Sequence, residues 1–285
     1  MKIAVASGKG GTGKTTIATN LALVLHGEGH DVEYADCDVE APNGHLFLKP
    51  EIAETITVTK PCPEIDTEKC THCGECDKAC QFNAILCIKT QVLLFRELCH
   101  GCGACALICP AEAITEKPRE VGVAEIGIAK GMRFLHGRLH IGEPLSPVVI
   151  AAIKERLDPD KITVLDAPPG STCPTIEAIR RTDHILLVAE PTPFGLNDLE
   201  IAYDVVRELN IPCSLAINRS DIGDDRVKRF ADAKEIPVVL EIPQDRRIAE
   251  CYSVGDMVVE ELPEYRETFL GVFEKIAGEV TCQKK

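Results

Sequence analysis

The hydrophobic pattern opens with a short apolar run, KIAVAS at residues 2–7. It has the length and composition of a parallel strand buried on both faces. Residues 14–27 (KTTIATNLALVLHG) switch to helical periodicity and stop at a glycine. Residues 31–38 (DVEYADCD) alternate like a strand and end in acids. The chain therefore begins strand, loop, helix, strand. From about residue 58 prolines and cysteines crowd in, and the earlier rhythm returns only after 120. There VGVAEIGIA (121–129) reads as a strand, and SPVVIAAIKERL (146–157) as a helix with a serine cap. KITVLDAPPG (161–170) predicts a strand running into a loop. Further strands are expected in 184–191, 212–221 and 236–245, and helices in 194–210, 224–235 and 263–280. Alternation on this scale predicts an α/β fold, a mostly parallel sheet with helices on both faces. Its parts are residues 1–57 and 121–285, with 58–120 as an inserted second domain.

Composition narrows the picture. At 285 residues and 45% hydrophobic, the chain can build one large core with a small domain attached. The formal charge of −14 should repel phosphate backbones and anionic lipid, so neither nucleic acid nor membrane is an expected partner. No charged leader or long apolar run precedes the first strand, which predicts a cytoplasmic protein. In that setting the 15 cysteines point to metal rather than to disulfides.

Two patterns carry chemistry. The first is ASGKGGTGKTT at residues 6–16, which contains Gly8-x-x-x-x-Gly13-Lys14-Thr15. Gly8, Gly10, Gly11 and Gly13 let the backbone wrap a phosphate, with Thr12 and Thr16 beside them. Lys14 is placed to reach the β- and γ-phosphates, and the Thr15 hydroxyl to ligate Mg²⁺. A chance glycine-rich turn is the alternative, but a strand before and a helix after weigh against it. The loop carries a second lysine, Lys9, which residue type alone would read as solvated.

The second pattern lies in the cysteine stretch, which nearly repeats itself. EKCTHCGECDKACQFNAI (68–85) matches ELCHGCGACALICPAEAI (97–114). Each copy has C-x2-C-x2-C-x3-C spacing, the pattern of two-cluster bacterial ferredoxins, in which the fourth cysteine of each run serves the other cluster. Cys70, Cys73, Cys76 and Cys109 are therefore assigned to one [4Fe–4S] cluster. Cys99, Cys102, Cys105 and Cys80 take the other. Zinc is the main alternative, but its sites favour separated CxxC pairs. Gln81 follows Cys80 where ferredoxins usually have proline, as Pro110 follows Cys109, which could loosen that turn. Cys37, Cys62, Cys87, Cys213, Cys251 and Cys282 read as small packed apolar groups. Cys173, seven residues past Asp166, and the pair His136 and His140 read as non-ligands.

GKGGTGKTT resembles the deviant phosphate loop of the MinD/ParA class of P-loop ATPases. That class includes nitrogenase iron protein and Mrp-type iron–sulfur carriers. The likeness covers essentially all of the chain outside 58–120. It implies ATP and Mg²⁺ as cofactors and a nucleotide-dependent homodimer, with Lys9 reaching the partner subunit's nucleotide. In DCDVEAPN, Asp38 resembles the residue that orients the attacking water and Asp36 a Mg²⁺-side carboxylate. VLDAPPG resembles the Walker B segment, with Asp166 holding Mg²⁺ through water. Asn218 resembles the adenine-reading asparagine, and EIPQD (241–245), with Pro243, a second base-contacting loop.

Three functions fit. ATP-gated electron transfer through two clusters to an unidentified redox partner ranks first, because all eight motif cysteines complete two sites. A carrier or assembly ATPase for iron–sulfur clusters or metallocofactors ranks close behind. Cys251 and Cys282 lack the C-terminal CxxC pairing of Mrp-type relatives, which counts against a simple carrier. A redox-sensing spatial regulator ranks well below.

Overall fold

The protein is described by a computed structural model covering residues 1–283, with side chains through residue 280. The Cys282 side chain thus lies outside the described ones. The chain starts β1 (Lys2–Ala6), α1 (Lys14–Gly27), β2 (Val32–Asp36) and α2 (Gly44–Leu48). A cysteine-rich excursion follows: β3 (Glu51–Ile65), α3 (Glu75–Ala79), β4 (Ile85–Ile88), β5 (Gln91–Leu94), α4 (Ala104–Ile108) and β6 (Ile114–Ala129). Next come β7 (Met132–Leu139), α5 (Ser146–Lys154), β8 (Ile162–Asp166), α6 (Cys173–Ile179), β9 (His184–Ala189) and α7 (Pro193–Glu208). The chain ends with β10 (Cys213–Asn218), α8 (Arg226–Ala233), β11 (Val238–Ile242), α9 (Arg246–Val254), α10 (Val258–Glu261) and α11 (Tyr265–Gln283).

Among the described residues one sheet runs β11-β10-β9-β1-β8-β2-β7-β6-β3. Every pairing from β11 through β7 is parallel, and β6 then runs antiparallel to both β7 and β3. Strand alternation splits the core in two. Ile3, Val5, Tyr34, Phe134 and Val164 face one side, where α1 and α11 cover them with Ile17, Leu21, Phe269 and Ile276. Ala4, Ala35, Leu135, Leu165 and Ile185 face the other, against Ile150, Leu199 and Val227 of α5, α7 and α8. Burial on both faces is why these strands read as continuous apolar runs.

β3 and β6 are longer than the sheet needs. Their ladder runs from Glu51↔Ile128 to Ile65↔Ile114, while β7 pairs with β6 only from Gly122 to Ala129. Beyond that point the two strands continue as a free ribbon. The register shifts between Val58 and Thr59, beside Gly122 and Glu120. This irregularity, which bends and twists a ladder, falls where the composition changes.

The ribbon carries a unit with little core of its own. Its buried clusters are Cys76, Ile85, Cys105 and Ile114, and Cys62, Ala84 and Cys99. Leu86, Phe95, Leu98 and Leu107 are exposed on the same unit. Its two cysteine runs have the same backbone. Gly74 (φ 80°) and Gly103 (φ 75°) precede α3 and α4, and Cys80 (φ −78°, ψ 102°) and Cys109 (φ −70°, ψ 109°) follow them. The turns that follow differ in one respect: the Asn83 N–H lies 3.5 Å from the Cys80 carbonyl oxygen after Gln81, against 3.1 Å for Glu112 and Cys109 after Pro110.

Some expectations are corrected. Ser146 does not cap α5: it is the first helical residue, and its Oγ donates to Glu40 Oε1 at 2.8 Å. The pattern missed α6 and α9 and the full length of β3. Among the described residues no helix is long and apolar enough to cross a membrane.

Candidate functional site

The ends of β1, β2, β8, β10 and β11 converge on one cavity of about 350 Å³, at the carboxyl edge where parallel sheets bind ligands. Gly10, Gly11, Gly13, Lys14, Thr15 and Thr16 form its floor. Gly13 has φ 92°, and a Cβ there would lie 2.5 Å from Asn218 Nδ2, so glycine is required twice over. Gly8 is constrained differently: a Cβ on it would meet the Asp198 carbonyl oxygen of α7 at 2.0 Å. α1 starts without a side-chain cap, leaving its first N–H groups for an anion. Lys14 is 7% exposed and makes no ion pair within 4 Å among the described residues. A buried ammonium with no carboxylate in ion-pair contact suits a phosphate.

Asp36, Asp38 and Asp166 stand at adjacent strand ends. Asp36 is fully buried. Its Oδ1 accepts from the Asp38 N–H (3.0 Å), and its Oδ2 from the N–H groups of Asn43 (3.1 Å) and Gly44 (2.9 Å). Asp36 thus holds the loop 38–44 with both oxygens. Asp166 Oδ2 accepts from the Tyr34 hydroxyl at 3.2 Å, while among the described residues its buried Oδ1 has no partner within hydrogen-bonding geometry, the Thr15 side chain being its neighbour. Burial and mutual repulsion push the Asp36 carboxyl up, and burial pushes up that of Asp166 against the pull of Lys14. Asp38 lines the cavity, and burial raises it to about 6, again opposed by Lys14. Closely set buried acids with an orphaned oxygen fit a hard cation bound through oxygen.

Asn218 lines the cavity, yet its Nδ2 donates to the Thr12 carbonyl at 2.8 Å. It braces the phosphate loop, a role the sequence did not suggest. Pro243, Gln244 and Asp245 form the far wall, joined by Ile248, Tyr252 and Tyr265. These last three come from α9 and α11 and carry no motif, so periodicity alone could not place them in a site. Lys9 is absent from the cavity lining. Its Nζ lies 3.7 Å from Glu190 Oε2, and Glu190 Oε1 accepts from Arg219 at 2.6 Å.

The structure gathers the eight motif cysteines into two groups. Cys70, Cys73, Cys76 and Cys109 line one cavity, and Cys80, Cys99, Cys102 and Cys105 line another. Backbone N–H groups already bond the sulfurs: Ala84 to Cys80 Sγ and Ala113 to Cys109 Sγ, both at 3.3 Å, and Gly101 to Cys99 Sγ at 3.4 Å. Among the described residues no three His, Cys, Asp or Glu converge tightly enough for a single metal ion. Each quartet surrounds a space instead of a point. Cys73 and Cys102 are exposed, while Cys76 and Cys105 are buried.

The remaining candidates lie elsewhere. Cys173 is exposed at the start of α6. Cys37, Cys62 and Cys251 are buried, and Cys87 and Cys213 half-buried. His136 sits inside β7 with Nε2 2.6 Å from Glu125 Oε2, and His140 lies past the strand's end.

Comparison with known proteins agrees with this architecture. The chain belongs to the CobQ/CobB/MinD/ParA nucleotide binding domain family (CbiA), whose profile matches residues 3–258. An uncharacterized protein of Methanocaldococcus jannaschii, MJ0579, is 31% identical over 90% of each chain. An iron-sulfur cluster carrier protein of Aquifex aeolicus is 26% identical, covering 99% of this chain and 68% of that one. In fold, the chain is similar to the septum site-determining protein MinD of Pyrococcus horikoshii, solved with Mg-ADP. The TM-score is 0.60 at 20% identity, covering 96% of this chain and 95% of that one. The chain is thus a P-loop α/β nucleotide-binding domain whose matched residues include those lining the 350 Å³ cavity up to residue 258.

The acids give this site a definite pH behaviour. Their raised values mean that the folded, ligand-free protein holds protons which the unfolded chain, titrating near 4, has lost. The stability these acids contribute is therefore full below about pH 4 and is lost as pH rises through their folded-state values toward neutrality and above. Asp166→Asn should raise the Tm of the ligand-free protein at pH 8, by roughly 2–4 °C per kcal/mol recovered. Mg-ADP should stabilise the wild type more than the variant. Thermal melts at pH 5 and 8 check both, and an unchanged or lower Tm at pH 8 would contradict this electrostatic reading.

Proposed function

We propose that this protein is an ATP-hydrolysing carrier or assembly ATPase for iron–sulfur clusters or related metallocofactors, acting as a nucleotide-dependent homodimer. The observation that carries the proposal is the pair of four-cysteine cavities on a ribbon continuous with the nucleotide-binding sheet. Relatives named iron-sulfur cluster carrier protein, aligned over 98–99% of the chain, support it. The sequence alone ranks electron transfer first, and these relatives shift the weight to the carrier.

Each quartet would hold one [4Fe–4S] cluster: Cys70, Cys73, Cys76 and Cys109 the first, and Cys99, Cys102, Cys105 and Cys80 the second. The spacing supports a cluster over zinc: each quartet draws three cysteines from one C-x2-C-x2-C run and the fourth from the other, whereas zinc sites favour separated CxxC pairs. The unit also needs something beyond its few buried residues to hold it folded. Bound there, a cluster supplies one-electron chemistry or, as cargo, iron and sulfide. The exposed Cys73 and Cys102 would leave one corner of each open to an acceptor's thiols.

At the nucleotide, the backbone of Gly8 to Gly13 and the start of α1 would cradle the phosphates. Lys14 would neutralise the β- and γ-phosphates, and Thr15 with Asp166, through water, would hold Mg²⁺. Asp38 would orient the attacking water, on a loop fixed by Asp36. Asn218 and Pro243 would flank the base. Lys9, outside the lining of its own cavity and 3.7 Å from Glu190, would serve the partner's ATP. Developing charge would then be neutralised in trans, as an arginine finger does.

A second reading, ATP-driven electron transfer through resident clusters, is favoured by one observation: each quartet is complete within a single chain. The two are separable. With ⁵⁵Fe-loaded protein, a carrier passes label to an apo-acceptor faster with Mg-ATP than without nucleotide. Retained label, with reducing equivalents passed on instead, would favour the second reading and defeat the first.

Three further outcomes follow. Lys14→Ala should weaken Mg-ATP binding about 30-fold or more, since losing a buried charged contact costs at least ~2 kcal/mol. Lys9→Ala should bind Mg-ATP within about threefold of wild type while hydrolysis falls about 10³-fold, the order of a missing finger residue. Normal turnover in Lys9→Ala would rule out the trans role. Finally, chelating the iron should expose residues 66–113 to protease while the α/β domain stays intact, read by mass mapping of the first cuts.

A further inference from the structure

Between the nucleotide cavity and the cysteine unit lies a buried group of charges that neither site uses. Lys60 of β3 is 3% exposed and Glu143, in the loop between β7 and α5, is 7% exposed. Lys60 Nζ donates to Glu143 Oε1 at 2.9 Å and to the Cys99 carbonyl oxygen at 2.7 Å. Arg119 of β6 donates to Glu143 Oε2 at 2.5 Å and to the Arg96 carbonyl oxygen at 3.3 Å. A half-satisfied set of buried charges is costly, and an apolar cluster of similar volume is often as stable. Here both Glu143 oxygens are paired and both cations are bonded, and the set ties the ribbon to the loop that carries Cys99.

The other end of the group reaches the nucleotide. Asp38 and Asn43 line the cavity from the loop that Asp36 fixes. The Leu139 N–H donates to the Val39 carbonyl oxygen at 2.9 Å, and Ser146 Oγ to Glu40 Oε1 at 2.8 Å. These two bonds grip the nucleotide loop from both ends of the segment 140–145. Within that segment the Glu143 N–H donates to the His140 carbonyl oxygen at 3.0 Å. Hydrogen bonds and covalent chain thus run without a gap from Asp38 to the Cys99 carbonyl.

We propose that Lys60, Glu143 and Arg119 couple the nucleotide loop to the Cys99 site, with Lys60 as a positioning residue for the group held there. This rests on the cluster reading above. Lys60, Arg119 and Glu143 together carry net positive charge; Glu116 also lines the Cys99 cavity, but the Lys60 ammonium bonds the Cys99 carbonyl directly, and added negative charge next to it is stabilised. Among the described residues no ammonium bonds the matching Cys70 carbonyl. The two clusters are therefore inequivalent: the one at Cys99, Cys102, Cys105 and Cys80 accepts an electron more readily and responds to nucleotide. Movement of the 38–44 loop on nucleotide binding shifts Glu143, and through it Lys60. Coupling by such a contiguous network is the physical form of linkage between distant sites.

The test uses full-length, anaerobically reconstituted protein, reduced by one electron per cluster from dithionite and followed by EPR. In the wild type, a non-hydrolysable ATP analogue with Mg²⁺ should shift one midpoint potential and leave the other in place. Lys60→Met should make reduction of that same cluster about tenfold less favourable, which is 59 mV for a one-electron couple. Basal ATPase in this variant should stay within twofold of wild type. Glu143→Gln should abolish the nucleotide-dependent shift, and with it the nucleotide-dependent change in amide exchange at residues 98–103. Equal iron and sulfide content in all three proteins shows that the variants fold and load. Two clusters whose potentials ignore Lys60 and nucleotide overturn the coupling while leaving the cluster reading standing. Wild-type protein without two [4Fe–4S] signals overturns the cluster reading, and this inference with it.

Discussion

The β3–β6 ladder is the constraint on which the architecture depends. A nucleotide-binding sheet that ended at β7 would be complete as a parallel fold. Here the chain adds two antiparallel strands and runs them past the sheet edge, from Glu51↔Ile128 out to Ile65↔Ile114. The cysteine unit therefore hangs from a hydrogen-bonded ribbon and not from a flexible linker. Its orientation is set by strand register and by the irregularity at Val58, and the buried Lys60–Glu143 pair stiffens the junction. A unit with so few buried residues gains from such a mount, because the ribbon supplies order its own core cannot.

In the middle of the same sheet, at the carboxyl ends of β2 and β8, three carboxylates stand beside one lysine. Asp36 and Asp166 are paired in register across β2 and β8, so their repulsion is built into the fold. Backbone N–H groups quiet Asp36, whereas among the described residues Asp166 keeps a buried oxygen with no partner within hydrogen-bonding geometry. The repulsion between these carboxylates is of a kind that a bound cation would relieve, and the Lys14 ammonium is of a kind that an anion would satisfy. A loop whose position depends on that relief is suited to report nucleotide state.

Much of this was legible in the sequence, for physical reasons. Parallel strands buried on both faces read as apolar runs, so β1, β8, β9, β10 and β11 were visible. The phosphate loop and the cysteine runs are local: their function follows from spacing within a dozen residues. What stayed hidden was long-range. Tyr34 looks like any core aromatic until its hydroxyl is found on Asp166, and Lys60 looks like a strand-surface lysine until Glu143 arrives from 83 residues away. The outer halves of β3 and β6 carry prolines at 61, 63 and 118, which argue against a central strand; in a two-stranded ribbon they are tolerated. α9 escaped notice because it is short and polar, with Cys251 as its buried residue. The bonds of Asp36 to its own loop could not be foreseen, since an acid at a strand end gives no sign of which N–H groups it will meet.

The central claim is that one molecule joins an ATP site to two iron–sulfur sites so that each feels the other. The most direct test is calorimetric: Mg-ATP affinity of the Asp38→Asn protein with both clusters loaded, and again after anaerobic iron removal and purification of the intact chain. Linkage requires the two affinities to differ if the sites are coupled, by about 5-fold or more for a typical coupling of 1–3 kcal/mol. The account predicts such a difference. Equal affinities in the two forms would contradict it, leaving the cysteine unit a passenger on a conventional ATPase.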